Sequence, residues 1–204
     1  MDIDKVIGYF HEIGHCKMET RSGWKHIGVK SPESVAEHSF RAAQIGFVLA
    51  HMENYPNPER IAMVLLFHDN AEARISDFDK LASVYMNEKK ESEMAALKDQ
   101  IQHLSPKIQK KIIGFFQDFE CVDGSLKSNI IRDADLLELA FQAKEYFDRG
   151  YKLAQIFLDN IGHLFSTDSA KMIFEDLDNG TSAHWWITPI LGSNILKQKK
   201  DKPS

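Results

Sequence analysis

Several ionisable residues in this sequence stand where helical periodicity calls for apolar ones. Val35, His38, Ala42, Ile45 and Leu49 recur three or four apart, so His38 points where a core should be. Ile61, Leu65, His68 and Glu72 share a second stripe, and Ala62, Leu66 and Asp69 its neighbour, so the apolar run AMVLLF ends in His68-Asp69 at core depth. In NIIRDADLLELAFQAKEY, Asp135 interrupts the stripe of Ile131 and Leu139, while Asp133 interrupts that of Ile130 and Leu137. Periodicity alone does not choose between these two aspartates, and Arg132 is a ready partner for either. A lone His38 also reads as a hydrogen-bonded core histidine. A carboxylate at core depth is costly unless it is paired or bound to a metal, which makes His68-Asp69 the stronger signal.

Together these residues offer two imidazoles and two carboxylates on three helical segments. Such a mixed nitrogen and oxygen set suits one divalent ion: Mn, Co or Mg, with Fe, Ni or Zn also compatible. Four protein ligands leave two positions of an octahedron for water and a substrate oxygen, an arrangement suited to phosphoryl hydrolysis. Glu72 follows His68 by one helical turn and can orient or deprotonate the attacking water; its plain alternative is a surface acid. Asp77, after ARIS, either caps a short turn or reaches the site, and Arg74 is a possible partner for Glu72 or Asp77. Arg21 and Trp24 lie on a glycine-containing loop just before the His38 segment. An arginine fork fits phosphate oxygens, and an indole makes a rigid wall for a sugar or base. A surface arginine and a core tryptophan are the alternatives.

The elements that must position these groups read as helical almost throughout. Ile3, Ile7, Phe10 and Ile13 mark a first amphipathic helix, and residues 20–30 read as a loop. Ser31-Pro32-Glu33 carries the signals of a helix start, with the helix running to about His51, and Asn57-Pro58-Glu59 repeats them for a helix to about Ala73. Further helices are expected around residues 94–104, from Ser105-Pro106 to Phe119, and from Ser128 to about Asp148. Shorter ones fall at Leu153–Leu164 and Ala170–Leu177. No segment gives a clean alternating strand. The expectation is one compact all-α domain over residues 1–192, with a disordered tail at 193–204.

Bulk composition excludes some classes. The net charge of -5 lacks the basic stripe of a nucleic-acid-binding protein. Two cysteines, Cys16 and Cys121, make neither a disulfide framework nor a thiolate zinc site. With no basic-then-apolar leader and no long apolar run, a cytoplasmic protein that does not enter membranes is expected.

The order His38, His68-Asp69, Asp135 resembles the HD phosphohydrolase superfamily. The stretches RSGWKHIGVKSPESVAEHSFRAA, ERIAMVLLFHDNAEARISD and IIRDADLLELAFQAKEY are similar to its 5'-deoxynucleotidase branch, and the resemblance spans roughly residues 5 to 165. It implies a helical HD domain that hydrolyses deoxyribonucleoside 5'-monophosphates to nucleoside and phosphate. It also implies His38, His68, Asp69 and Asp135 as metal ligands, Glu72 acting on the attacking water, and Asp77 in the active site. It places Trp24, fourteen residues before His38, against the sugar, where it disfavours a 2'-hydroxyl, and it gives Arg21 a role at the phosphate. The chain departs from the resemblance at Gly23, where an arginine would adjoin the tryptophan, and at Ser76-Asp77, where Gly-Asp is usual. The same metal set in the superfamily serves cyclic nucleotides, alarmones and triphosphates, so another nucleotide is the nearest alternative substrate. An idle HD domain acting as a nucleotide sensor or scaffold is the alternative from another class. The resemblance further implies a homodimer, to which the apolar run Trp185, Trp186, Ile187, Ile190 and Leu191 adds a feature needing cover.

Overall fold

Helix-capping chemistry and apolar spacing together divide this chain into short and medium helices. A computed structural model describes residues 2–183 and 185–187. Its helices are α1 (Ile3–Ile13), α2 (Val35–Met52), α3 (Pro58–Phe67), α4 (Glu72–Ile75), α5 (Lys80–Ser83), α6 (Lys89–Ile101), α7 (Pro106–Glu120), α8 (Leu126–Asp148), α9 (Gln155–Ile161) and α10 (Asp168–Asn179). Among the described residues there is no strand, only an isolated antiparallel bridge between Thr20 and Ser34. No helix among them is long and apolar enough to cross a membrane. The all-α expectation holds. The expected tail at 193–204 lies outside the described residues, as do Ile190 and Leu191.

The core sits between α2, α3 and α8. Leu49, Ile61, Leu65, Ile130, Ile131 and Leu137 are fully buried there. Gly46 permits the close approach of α2 to α3, since a Cβ at that position would collide with Leu65 Cδ1. A second apolar cluster gathers Trp24, Ala143, Tyr146, Leu158 and Ile161 where α8 meets α9. A third joins α6 and α7 through Leu97, Ile101, Ile112 and Phe116.

Three local expectations change. The second helix begins at Val35, not near Ser31. Ser34 caps it, and a capping box with Glu37 satisfies the backbone donors at both ends of that turn. Glu33 is left outside the helix and is buried instead. The third helix stops at Phe67 rather than running through to Ala73. His68 Nδ1 donates to Leu65 O at 2.6 Å, and Leu65 O is the carbonyl the Asp69 amide would need to continue the α-helix. The chain then proceeds through tighter turns, with Asn70 N on Phe67 O and Glu72 N on Asp69 O. In α1 it is Val6 and Tyr9 that pack against the third cluster, while Ile3, Ile7 and Phe10 face solvent.

Candidate metal and phosphate site

Four side-chain atoms from α2, the α3 terminus and α8 converge on one point. His38 Nε2 and His68 Nε2 are 3.3 Å apart. Asp69 Oδ2 lies 3.0 Å from His68 Nε2 and 3.7 Å from His38 Nε2. Asp135 Oδ1 lies 3.1 Å from His38 Nε2 and 3.8 Å from His68 Nε2. An octahedral ion with ~2.1 Å bonds holds neighbouring ligand atoms ~3 Å apart, and the donors of His38, His68 and Asp69, all within 4.8 Å of one another, suit such an ion. Asp135 stands close to both imidazoles but outside that tighter group.

The helix that supplies Asp135 also turns Asp133 the other way. Asp133 is fully buried and accepts from Ser166 N, Thr167 N and Thr167 Oγ, anchoring the segment that leads into α10. Arg132 pairs with neither aspartate among the described residues.

Charge balance in this cluster is tight. Burial alone would raise the Asp69 carboxyl, but His68, Arg21 and His38 outweigh it and hold Asp69 well below the usual carboxylate range. Asp135 is lowered against the same burial, chiefly by His38. Burial and the Arg21 charge press His38 toward its neutral form, yet Glu138 and Asp135 prevail and hold it up at about 10. Glu72 goes the other way. Burial, aided by Asp69, pushes it well above its ordinary value. Its Oε2 is buried and has no hydrogen-bond partner among the described residues. A polar atom in that state calls for water or a ligand.

These groups open onto a cavity of about 500 Å³. His68, Asp69, Glu72 and Asp135 form its polar floor. Arg21 and Lys89 add positive charge, and Phe119, Leu139, Ile156, Phe157 and Leu164 form an apolar flank. A groove of about 720 Å³ elsewhere, lined by Glu37, Arg41, Gln142 and Arg149, touches none of the four donor atoms.

The remaining candidates meet at the rim. Arg21 Nη1 donates to Asp69 at 2.9 Å and reaches Asp77 at 3.5 Å. Asp77 accepts from Ser22 N at 2.5 Å and from Ser22 Oγ at 2.8 Å, so it ties down the loop that carries Arg21. Arg74 pairs with Glu12 and Asp99, away from Glu72 and Asp77. Trp24 lines the cavity yet is only 1% exposed. Its indole N–H donates to Glu33 at 2.9 Å, and its ring lies against Tyr146 and Phe157 at centroid distances of 5.1 and 4.6 Å. Burial, with the nearby Glu138 charge, pushes Glu33 up to about 7.

Sequence reasoning passed over Glu33, Arg41 and Glu138. Glu138 is fully buried beside His38, and its signal was visible as a lone acid inside LLELAF. Glu33 carries the sequence signature of a first-turn helix acid because Ser-Pro precedes it.

The HD domain family model matches residues 13–176. The 5'-deoxynucleotidase HDDC2 of Bos taurus is 26% identical over 88% of this chain and 87% of its own length. Among solved structures, a protein of Archaeoglobus fulgidus is 32% identical with a TM-score of 0.63, over 90% of this chain and 99% of its own. A conserved hypothetical protein of Pyrococcus furiosus is 30% identical with a TM-score of 0.68, over 85% of this chain and 99% of its own. A match across most of the sequence, together with a His, His-Asp and Asp cluster gathered from three helical elements, means that this chain belongs to the HD domain family.

Proposed function

We propose that the protein is a metal-dependent 5'-deoxynucleotidase that hydrolyses deoxyribonucleoside 5'-monophosphates to nucleoside and inorganic phosphate. The observation that carries this reading is the cluster at the cavity floor: His68, Asp69 and Asp135, with His38 behind them, gather beside Glu72, whose Oε2 is buried with no partner among the described residues. The HDDC2 relatives, named 5'-deoxynucleotidases, support the substrate class.

The donor set fits one divalent ion held by His38, His68, Asp69 and Asp135, with Mn, Co or Mg the first choices and Fe, Ni or Zn compatible. When bound, such an ion acidifies water and polarises a phosphoryl oxygen. The chain's own residues do the rest. Glu72, which lines the cavity and whose Oε2 has no partner among the described residues, takes a proton from the attacking water. Arg21 offers its fork to the phosphate, and Asp77, by gripping Ser22, keeps that loop at the rim. Trp24 and the apolar flank receive the sugar and base and exclude water around them. A homodimer in the cytoplasm completes the reading; Trp185 and Trp186, 78% and 48% exposed, are surfaces such a partner would cover.

The test is turnover of a panel of ribo- and deoxyribonucleoside monophosphates, cyclic nucleotides and triphosphates with added Mn²⁺, Co²⁺ or Mg²⁺. Deoxyribonucleoside 5'-monophosphates should lead. Glu72→Ala should keep the metal and lose about 10²–10⁴-fold in rate. Phosphate release from another class at a higher rate, or an undiminished rate in the variant, would overturn the assignment.

A further inference from the structure

The ring nitrogen of His38 that points away from the donor cluster has an unusually complete set of partners. Nδ1 meets Glu138 Oε2 at 2.5 Å, and Glu138 is fully buried. The other oxygen of that carboxylate, Oε1, accepts from Arg41, with Nε at 2.9 Å and Nη2 at 2.7 Å. Arg41 is itself held from the solvent side. Its Nη1 reaches Glu145 Oε1 at 2.7 Å, and its Nη2 reaches Gln142 Oε1 at 2.9 Å. The chain His38–Glu138–Arg41 thus runs from the ligand cluster to the groove on the other side of α2 and α8, and both Glu138 oxygens are committed along it.

We propose that Glu138, braced by Arg41, is a positioning residue that sets His38 as a metal ligand. An imidazole can offer the Nε2 lone pair to an ion only if its proton sits on Nδ1, and a buried carboxylate at 2.5 Å keeps it there while fixing the plane of the ring. The carboxylate needs Arg41 in turn, because an unbraced acid in this position is free to rotate away from His38. Asp69 leans on Arg21, and His68 uses a backbone carbonyl, Leu65 O, for the same purpose. Of the two imidazoles, His38 is therefore the one whose orientation depends on side chains that a substitution can reach. The nearby grouping of Glu33, His38 and Glu138 is accounted for without a second ion, since Glu33 is occupied by the Trp24 indole and Glu138 by Arg41.

The proposal rests on the reading of His38 as a ligand, and the experiment separates the two. Mn²⁺ is titrated by calorimetry into metal-free full-length wild type, Glu138→Gln and Arg41→Met. Failure of the wild type to bind would remove the ligand reading itself. With binding in the wild type, Glu138→Gln leaves one acceptor oxygen for two donors, so either His38 or Arg41 goes unserved. Affinity should fall about 10–100-fold. Arg41→Met keeps the carboxylate but removes its brace and should weaken binding in the same direction. Thermal melts of the metal-free proteins report folding separately. Melting temperatures that drop while Mn²⁺ affinity stays at the wild-type value would make Glu138 merely structural and overturn the proposal. Should the Glu138 variant not fold, Arg41→Met carries the same test. Nitrogen-15 NMR of the Mg²⁺-loaded wild type provides a check without substitution: the His38 proton is expected on Nδ1, and its absence from Nδ1 would refute the assignment.

Discussion

Asp133 and Asp135 stand two residues apart on α8 and serve different parts of the molecule. Asp135 reaches His38 Nε2 at 3.1 Å, whereas Asp133 accepts from Thr167 N and Thr167 Oγ, each at 2.7 Å, and ties α8 to the start of α10. Asp133→Ala should therefore lower stability while leaving the donor cluster whole. Stranding buried donors costs ~1–3 kcal/mol each, and at ~2–4 °C per kcal/mol the melting temperature should drop by roughly 5 °C or more. Asp135→Ala should do the reverse, abolishing tight Mn²⁺ binding with little change in the metal-free melt. Melts and Mn²⁺ titrations of both variants check the pair; the opposite pattern would exchange the two roles.

Ser76 has φ 67° and ψ 164°, a conformation that essentially only glycine adopts without strain. Its reward is the direction of the next residue, since Asp77 turns in to grip Ser22. Strain of this kind costs ~1–3 kcal/mol, and a glycine gives back ~0.5–1 kcal/mol through the freer unfolded chain. Ser76→Gly should thus stabilise the protein by about 1 kcal/mol, raising the melting temperature by a few degrees. A lower melting temperature would mean that the Ser76 hydroxyl, 3.4 Å from Glu19, contributes more than the strain removes.

Cys16 should be chemically silent in the folded protein. It is buried, and burial together with the Glu72 and Asp69 charges pushes its thiol up to about 11. The thiolate is the reactive form, so at pH 8 almost none is present. Mass spectrometry after brief alkylation should find Cys121 modified and Cys16 untouched until the protein is unfolded. Early labelling of Cys16 would mean that the short 3-10 turn that carries it, Gly14–Lys17, opens readily.

How much of this was legible in the sequence depends on the range of the interaction. His38, His68 and Asp69 announced themselves because each breaks an apolar helical stripe, and that pattern is local. Periodicity could not choose Asp135 over Asp133, because both break a stripe equally; the family resemblance pointed to Asp135, and the structure gives Asp133 its own partners at residues 166–167, some thirty residues on. The helix break after Phe67 escaped notice because its cause is a side chain competing with the backbone for one carbonyl. Glu138 left a trace, a lone acid inside LLELAF, but only the fold brings His38 and Arg41 of α2 to it. Glu33 left none, because its partner, the Trp24 indole, reaches it through the fold of the 20–30 segment.

Sugar choice is the sharpest test of the substrate side. Trp24 lines the cavity, yet its ring is also core, packed on Tyr146 and Phe157 and bonded to Glu33. Truncation to alanine would cost ~3–5 kcal/mol of stability, so Trp24→Phe is the better probe, keeping an aromatic ring in the cluster while removing part of the indole wall. If that wall meets the 2' side of the sugar, a 2'-hydroxyl pressed against it loses water and gains no partner, a penalty of roughly 1–3 kcal/mol. Wild type should then favour deoxyribonucleotides by about ten- to a hundredfold in kcat/KM. Trp24→Phe should narrow that ratio by raising relative turnover of ribonucleotides. A purely structural Trp24 predicts something different: loosening the cluster would lower the active fraction and depress both activities together. Because the ratio of the two kcat/KM values cancels the active fraction, it reads the sugar contact even in a destabilised variant. An unchanged ratio would assign Trp24 to the core alone and leave discrimination to the apolar flank of Leu139, Ile156 and Phe157.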